Sequence, residues 1–307
     1  MAISSPATIG QRGYGLALFL VAASAVVFGI MPIGTKLGLE NGSNPQTLLI
    51  IRTVIGCIIF GTLLAVRRQS FRVPLSKLAL LAAAGACSAL MNFCFASAID
   101  RIDVSLAILI IFFHPFLITY YFRWSSNEPQ TLQQLIWSIM AFAGLALALA
   151  VDFAVLDWAG LGYAAMAGLF CTIMVITMVQ ANRDLDGIAV CYYISLSGLV
   201  MFAIITFVTG SFAWPQNTTG WTGAAGAGVA FSIAYFAWLL AAKIIGAGRA
   251  SLLSFTEPVV TIIFAAILLG EQLSLLQWGG VALVAAGLFF LEALPGKSKI
   301  EVEVVHT

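Results

Sequence analysis

Long apolar stretches separated by short polar gaps set the pattern of this chain. Ten of them fall at 16–38, 46–66, 77–98, 104–122, 132–151, 158–180, 188–210, 220–242, 249–269 and 273–294. Each is close to the ~20 residues a helix needs to cross a hydrocarbon layer. The runs are continuous and do not alternate, which fits spanning helices and not a β-barrel, whose strands alternate lipid-facing with lumen-facing positions. The gaps are too short to hold a soluble domain. The pattern therefore predicts an all-α membrane protein with ten transmembrane helices.

The polar interruptions repeat. Residues 243–291 form two apolar runs joined by a tight corner at Gly270–Gln272, with Glu257-Pro258 set inside the first run. Shifted back by 143 positions, the same plan lies ungapped over Asp100–Ala148. Pro115 then falls under Pro258, Phe112 under Phe255, Glu128 under Glu271, Gln134 under Gln277 and Gly144 under Gly287. Apolar coincidences are common in so apolar a chain; Pro, Glu, Gln and Gly coincidences at one offset are not. The expected organisation is an N-terminal segment 1–15, a first five-helix repeat 16–151, a second 152–294 and a disordered polar tail 295–307. Five is odd, so the second copy enters the membrane with opposite polarity. Two inverted repeats related by a pseudo-two-fold axis in the membrane plane follow, a plan shared by many carriers.

Charge orients this picture. With the N-terminus on one side, that side holds Arg12, Arg67, Arg68, Arg72, Lys77, Arg123, Arg183, Lys243, Arg249, Lys297 and Lys299, while the other holds Lys36 and Arg101. The excess of basic residues marks the cytoplasmic face, so both termini are expected there, as an even number of spans requires. The first run is longer than the core of a signal peptide and reads as the first span.

Composition agrees. Hydrophobic residues make up 61% of the 307 and charged ones 9%, with mean hydropathy +1.04, against roughly 25% charged in soluble domains. A net charge of +1 offers no basic field for nucleic acid. Cys57, Cys87, Cys94, Cys171 and Cys191 lie in apolar runs without metal-ligand spacing and read as packing residues. No cofactor is implied. An intramembrane enzyme finds no support: there are two histidines, one of them His306 in the tail, and no HExxH, GxSxG or GxGD.

A few polar and aromatic positions stand out as candidate substrate contacts. Glu257 lies inside a span, where a carboxylate costs on the order of 3 kcal/mol unless it meets a cavity or a partner. Pro258 cannot donate to the Ser254 carbonyl, so a kink is expected there, with the freed carbonyl, Ser254 and Thr256 making a polar spot. Two readings stand for Glu257: a substrate-ammonium or proton site, and a neutral acid bonded within the bundle. His114 holds the equivalent place before Pro115, and it too reads as a proton or carboxylate site or as a structural hydrogen-bonder. On the third and eighth helices Ser88, Asn92 and Phe95 correspond to Phe231, Tyr235 and Trp238, each trio on one face. Asn92, Phe95, Tyr235 and Trp238 suit an aromatic or amphipathic solute; packing is the alternative. Phe28 and Phe170 are candidates of the same kind. Arg52 reads as an anion binder or, with more weight, as a residue that snorkels to the outer interface or ties helix ends together. Glu128 and Glu271 read as turn holders. Small residues, Gly223 with Ala227, Ala230 and Ala234, and Gly144 with Ala148 and Ala282 with Ala286, read as packing stripes. The latter two leave both a monomer and a homodimer open.

These residues carry a resemblance. Phe28-Gly29, Pro45 followed by Arg52, the passage FASAIDRIDVSLAILIIFFHP and the corner GEQLSLLQWGGVALVAAGLFF resemble the drug/metabolite transporter superfamily and its EamA-type ten-helix exporters, over about residues 16–294. Within it the chain is similar to the YddG-type aromatic and neutral amino-acid exporters. It departs in having SNEPQ at the first corner and His114 where many relatives carry a small polar residue. The resemblance implies a central cavity, alternating access and export across a prokaryotic inner membrane. The expected function is therefore export of small amphipathic metabolites, amino acids including aromatic ones first. Drugs or other metabolites, or a passive channel, are the alternatives. The expected partners are a small-molecule substrate and lipid.

Overall fold

The computed structural model describes residues 11–69, 71–126, 131–151, 156–269 and 272–293. Among these the regular structure is helical throughout: α1 (Gln11–Glu40), α2 (Pro45–Val66), α3 (Leu75–Ile99), α4 (Val104–Ile111), α5 (His114–Ser126), α6 (Leu132–Ala148), α7 (Trp158–Asn182), α8 (Gly187–Thr209), α9 (Thr218–Ile245), α10 (Ala247–Leu253), α11 (Thr256–Leu269) and α12 (Leu275–Ala293). Among the described residues eight segments are long and apolar enough to cross a membrane, Val104–Ser125 (α4 with α5) being one, and α6 is a shorter apolar helix. Phe19, Ile58 and Phe289 point outward, as a lipid-facing surface requires. Trp124, Trp158 and Trp221 sit exposed near helix ends, where indoles favour the headgroup boundary.

Local chemistry sets the helix starts. Asn44 accepts from the Thr47 N–H at 2.9 Å with Pro45 as first helical residue, where a missing N–H costs nothing. Asp103 accepts from the Ser105 and Leu106 N–H groups, Asp186 from Ile188 and Asn217 from Gly220. α6 and α12 begin with the same reciprocal device. Gln134 donates its N–H to Thr131 Oγ1 at 3.2 Å and accepts from the Thr131 N–H at 3.0 Å; Gln277 and Ser274 do likewise at 3.3 and 3.0 Å. These glutamines matched at the 143-residue offset, and their shared role explains it. Glu271 and Glu128, expected to hold these corners, lie outside the described residues.

The bundle is built from pairings between early and late helices. α1 packs along α9, α3 along α7, α6 along α12 and α2 against α8; α5 meets α10, and α1 meets α11. Missing side chains allow the closest of these. A Cβ on Gly144 would stand 2.7 Å from the Val284 nitrogen and 2.9 Å from the Gly280 oxygen. Gly287, its match at the 143-residue offset, stands in the same relation to Ala141 and Trp137, at 2.9 Å each. The Gly144–Ala148 stripe is thus consumed inside one chain, while Ala282 stays exposed. Gly223 and Ala227 likewise receive Gly34 of α1.

Two helices are interrupted, α4 from α5 at Phe112–Phe113 and α10 from α11 at Ser254–Phe255. Pro115 and Pro258 lack the N–H that would bond the carbonyl four residues earlier, Ile111 and Ser254. Neither carbonyl is left bare. His114 Nδ1 lies 2.9 Å from the Ile111 oxygen, and the Glu257 N–H donates to the Ser254 oxygen at 3.0 Å. The polar spot expected from a freed Ser254 carbonyl is therefore corrected: a tighter i+3 turn satisfies it, and Thr256 Oγ1 donates to Leu253 at 2.8 Å. The two breaks meet through their mates Phe112 and Phe255, ring centroids 6.5 Å apart.

Candidate functional site

A cavity of 590 Å³ lies beside these breaks, within the range of small-molecule sites. α1, α2, α3, α4, α9, α11 and α12 all contribute to its wall. Its aromatic side chains are Phe28, Phe95, Phe112 and Phe231, and its polar ones Arg52, Asn92, Ser105, Glu257, Thr261 and Gln277. It runs from mid-helix toward the end where α4 and α12 begin and α6 finishes, with Ser105, Leu149 and Gln277 on its walls. The opposite end is packed. There Thr119 Oγ1 donates to the Gly248 carbonyl at 3.1 Å, joining α5 to α10. Arg249 pairs with Glu292 at 2.9 Å, and the Tyr14 hydroxyl donates to the same carboxylate. Lys77 pairs with Asp184 between α3 and the end of α7. That bond holds the Asp184 carboxyl below its usual range, the neighbouring Lys77 charge adding to it. At the cavity's own end Arg101 pairs with Asp157 at 3.4 Å. The Ala159 N–H, capped by Asp157 at 2.8 Å, is the first cause of that carboxyl's lowered pKa.

Glu257 stands in the first turn of α11, where a helix N-terminus inside the membrane favours a negative group. Its setting is held by Ser254. The Glu257 N–H donates to the Ser254 carbonyl at 3.0 Å, and the Ser254 hydroxyl accepts from Trp238 Nε1 at 3.0 Å and donates to the Ala250 carbonyl at 3.4 Å. Asn92 lies on α3 and donates to the Ser88 carbonyl at 2.7 Å.

Of the eight residues singled out from sequence, Phe28, Asn92, Phe95 and Glu257 come together on this wall. Tyr235 and Trp238 are buried one layer behind it. Tyr235 stacks on Phe231 at 5.3 Å, and its hydroxyl is buried without a hydrogen-bond partner. His114 lies elsewhere, on a separate apolar cavity of 410 Å³ with Phe113, Phe142 and Gly168. A carbonyl only accepts, so its bond to Ile111 puts the ring proton on Nδ1. Phe170, on α7, is half-buried and is not among the residues lining either cavity.

Arg52 corrects the sequence reading. It does not reach out to the interface. It lines the cavity, its guanidinium carbon 4.1 Å from the Phe231 ring centroid and its Nε buried without a hydrogen-bond partner. The cause is Gly228, where a Cβ would come within 3.3 Å of the Arg52 Cα. α2 lies close on α9 at that point, and the guanidinium meets the ring one turn further on. The available signal was a lone basic residue in a span opposite a Gly- and Ala-rich helix.

A family model described as the EamA-like transporter family matches residues 15–150 and, a second time, 158–292. The chain belongs to the EamA-like transporter family. It is a multi-pass membrane transporter. A relative from Sinorhizobium sp, described as an uncharacterized transporter in cobO 3'region, is 32% identical over 136 residues, 44% of this chain and 93% of the relative. A solved structure, described as the crystal structure of a protein, matches with a TM-score of 0.78 over 89% of this chain and 95% of its own, at 16% identity. That likeness is one of fold. For this EamA-family chain, the double match of the family model falls on the two halves separated by the 143-residue offset.

Proposed function

We propose that this EamA-family transporter exports small amphipathic metabolites, amino acids including aromatic ones first, by alternating access around the 590 Å³ cavity. The observation that carries the proposal is the make-up of that cavity. Helices of both halves build it, Phe28, Phe95 and Phe112 offer ring surface, and Arg52, Asn92 and Glu257 offer polar recognition within one space. Rings plus a few placed polar groups suit a solute with an apolar body and a polar head.

The proposed architecture is ten spans in two inverted five-helix repeats, α4–α5 and α10–α11 each counting as one broken span. The helix pairings support it. Exchanging the halves by the 143-residue offset turns α1–α9 into α7–α3 and α2–α9 into α8–α3; α2–α8 and α6–α12 turn into themselves. All of these contacts are present. A bundle whose contacts survive the exchange can trade the roles of its halves, which alternating access requires. The basic-residue asymmetry supports cytoplasmic termini, and a prokaryotic inner membrane is the proposed location.

The proposed substrate contacts are Phe28, Asn92, Phe95 and Glu257. Trp238 acts as a positioning residue through Ser254, and Tyr235 supports Phe231. The test is counterflow in proteoliposomes. Uptake of labelled phenylalanine accelerates when unlabelled amino acid is loaded inside, and Trp238→Phe or Glu257→Gln lowers it. Uptake without acceleration would assign a pore; full transport of every amino acid by both variants would remove these site assignments.

A further inference from the structure

We infer that Arg52 is the carboxylate-binding group of the cavity and that, with Glu257, it makes the transporter select zwitterions. The inference rests on the amino-acid reading above and adds to it the polarity of the bound solute. Arg52 stands on α2 and Glu257 in the first turn of α11, and both line the same 590 Å³ space. Among the described residues Arg52 makes no ion pair, and neither does Glu257. A basic and an acidic side chain thus line one cavity without pairing with each other.

Arg52 is held in place by an aromatic column. Its guanidinium lies over the Phe231 ring, which stacks on Tyr235 with 16° between planes and meets Phe28 edge-on at 5.9 Å. A ring face satisfies part of a cation's need but accepts no N–H bonds in the guanidinium plane. The Nε–H is buried without a hydrogen-bond partner. A planar fork with an unused donor fits a carboxylate, which takes two parallel N–H bonds. Glu257 on the other helix fits an ammonium. A solute carrying both neutralises both walls at once, whereas a simple amine or a simple acid leaves one buried charge unmatched and faces a like charge besides.

The test uses the full chain in proteoliposomes with four probes: phenylalanine, phenylalaninamide, phenethylamine and 3-phenylpropionate. In the unaltered protein phenylalanine is carried, and the other three compete at least tenfold more weakly. Arg52→Gln raises the KM for phenylalanine tenfold or more and brings phenethylamine in as a competitor. Glu257→Gln does the reverse, admitting 3-phenylpropionate. Arg52→Lys keeps the charge without the fork and raises KM by a smaller factor; it also decides the matter if Arg52→Gln does not fold, as judged by gel filtration. An unchanged phenylalanine KM in Arg52→Gln, or in Arg52→Lys if only that variant folds, overturns the inference while leaving amino-acid transport standing. If the unaltered protein carries 3-phenylpropionate as well as phenylalanine, the zwitterion selection falls. If it carries only phenethylamine, the amino-acid reading falls and the role of Arg52 with it.

Discussion

At the scale of single residues, one matched position does different work in the two halves. His114 and Glu257 occupy matched positions before matched prolines, yet one caps a carbonyl and the other faces the cavity. The His114 bond gives a direct prediction. His114→Leu leaves the Ile111 oxygen without its side-chain partner in an apolar surrounding, at a cost of about 1–3 kcal/mol. The melting temperature in detergent should fall, while the KM for the transported solute stays put. His114→Asn, able to donate to the same oxygen, should recover part of the loss. A second prediction concerns Asp184, whose carboxyl is lowered by its bond to Lys77. Such a group stabilises the fold above its unfolded pKa, and that contribution is lost as pH falls through the lower folded value. Melting should therefore weaken below the usual carboxylate range, and Asp184→Asn should flatten that part of the profile. Sequence exposed Glu257 and Asn92 because a polar residue in an apolar run is conspicuous. It misplaced Arg52 because the interface and the cavity are both reachable from the start of a span. Only the backbone approach at Gly228 decides between them, and that is a property of two helices together.

At the scale of helices, hydropathy and offset matching located the segments well, because lipid forces each span to be long, apolar and internally bonded. Less legible were the breaks. The prolines announced them, but the sites at Phe112–Phe113 and Ser254–Phe255 lie before the prolines, at the carbonyls those rings cannot serve. The corners were read through Glu128 and Glu271, whereas the described structure finds the reciprocal caps Thr131–Gln134 and Ser274–Gln277. The α6–α12 seam yields a prediction with opposite signs at adjacent positions. A Cβ at Gly280 would meet the Ala148 nitrogen at 2.3 Å and the Gly144 oxygen at 2.7 Å, both backbone, so the helices would have to part. Gly280→Ala should destabilise by about 1–3 kcal/mol. Gly279, next to it, has open space, and Gly279→Ala should stabilise by about 0.5–1 kcal/mol through helix propensity. Thermal unfolding of the two variants in the same detergent checks both signs.

At the scale of the whole molecule, the proposed exchange of halves can be turned into named contacts. In this structure the end away from the cavity is closed by α5 on α10, with Thr119 donating to Gly248. At the 143-residue offset those two residues match Ile262 on α11 and Ser105 on α4, and both stand on the cavity wall. If the halves trade roles, Ser105 and Ile262 come together as Thr119 and Gly248 separate. One lock breaks the symmetry. Arg249, Glu292 and Tyr14 bind one another at the closed end, with side chains of the ion pair only 16% and 18% exposed. Their mates at the offset are Leu106, Leu149 and Asp157, which cannot form the same pair. The closed end seen here thus holds an interaction that the opposite state lacks, and Glu292→Gln should shift the population toward that state. The check is cross-linking in a background where the five free cysteines are replaced by alanine. Short-linker coupling of Thr119→Cys with Gly248→Cys should proceed in the resting protein and stop counterflow. Coupling of Ser105→Cys with Ile262→Cys should be slower, should also stop counterflow, and should speed up when Glu292→Gln is added. Free counterflow with either pair fully joined would mean that the solute crosses without the two ends opening in turn.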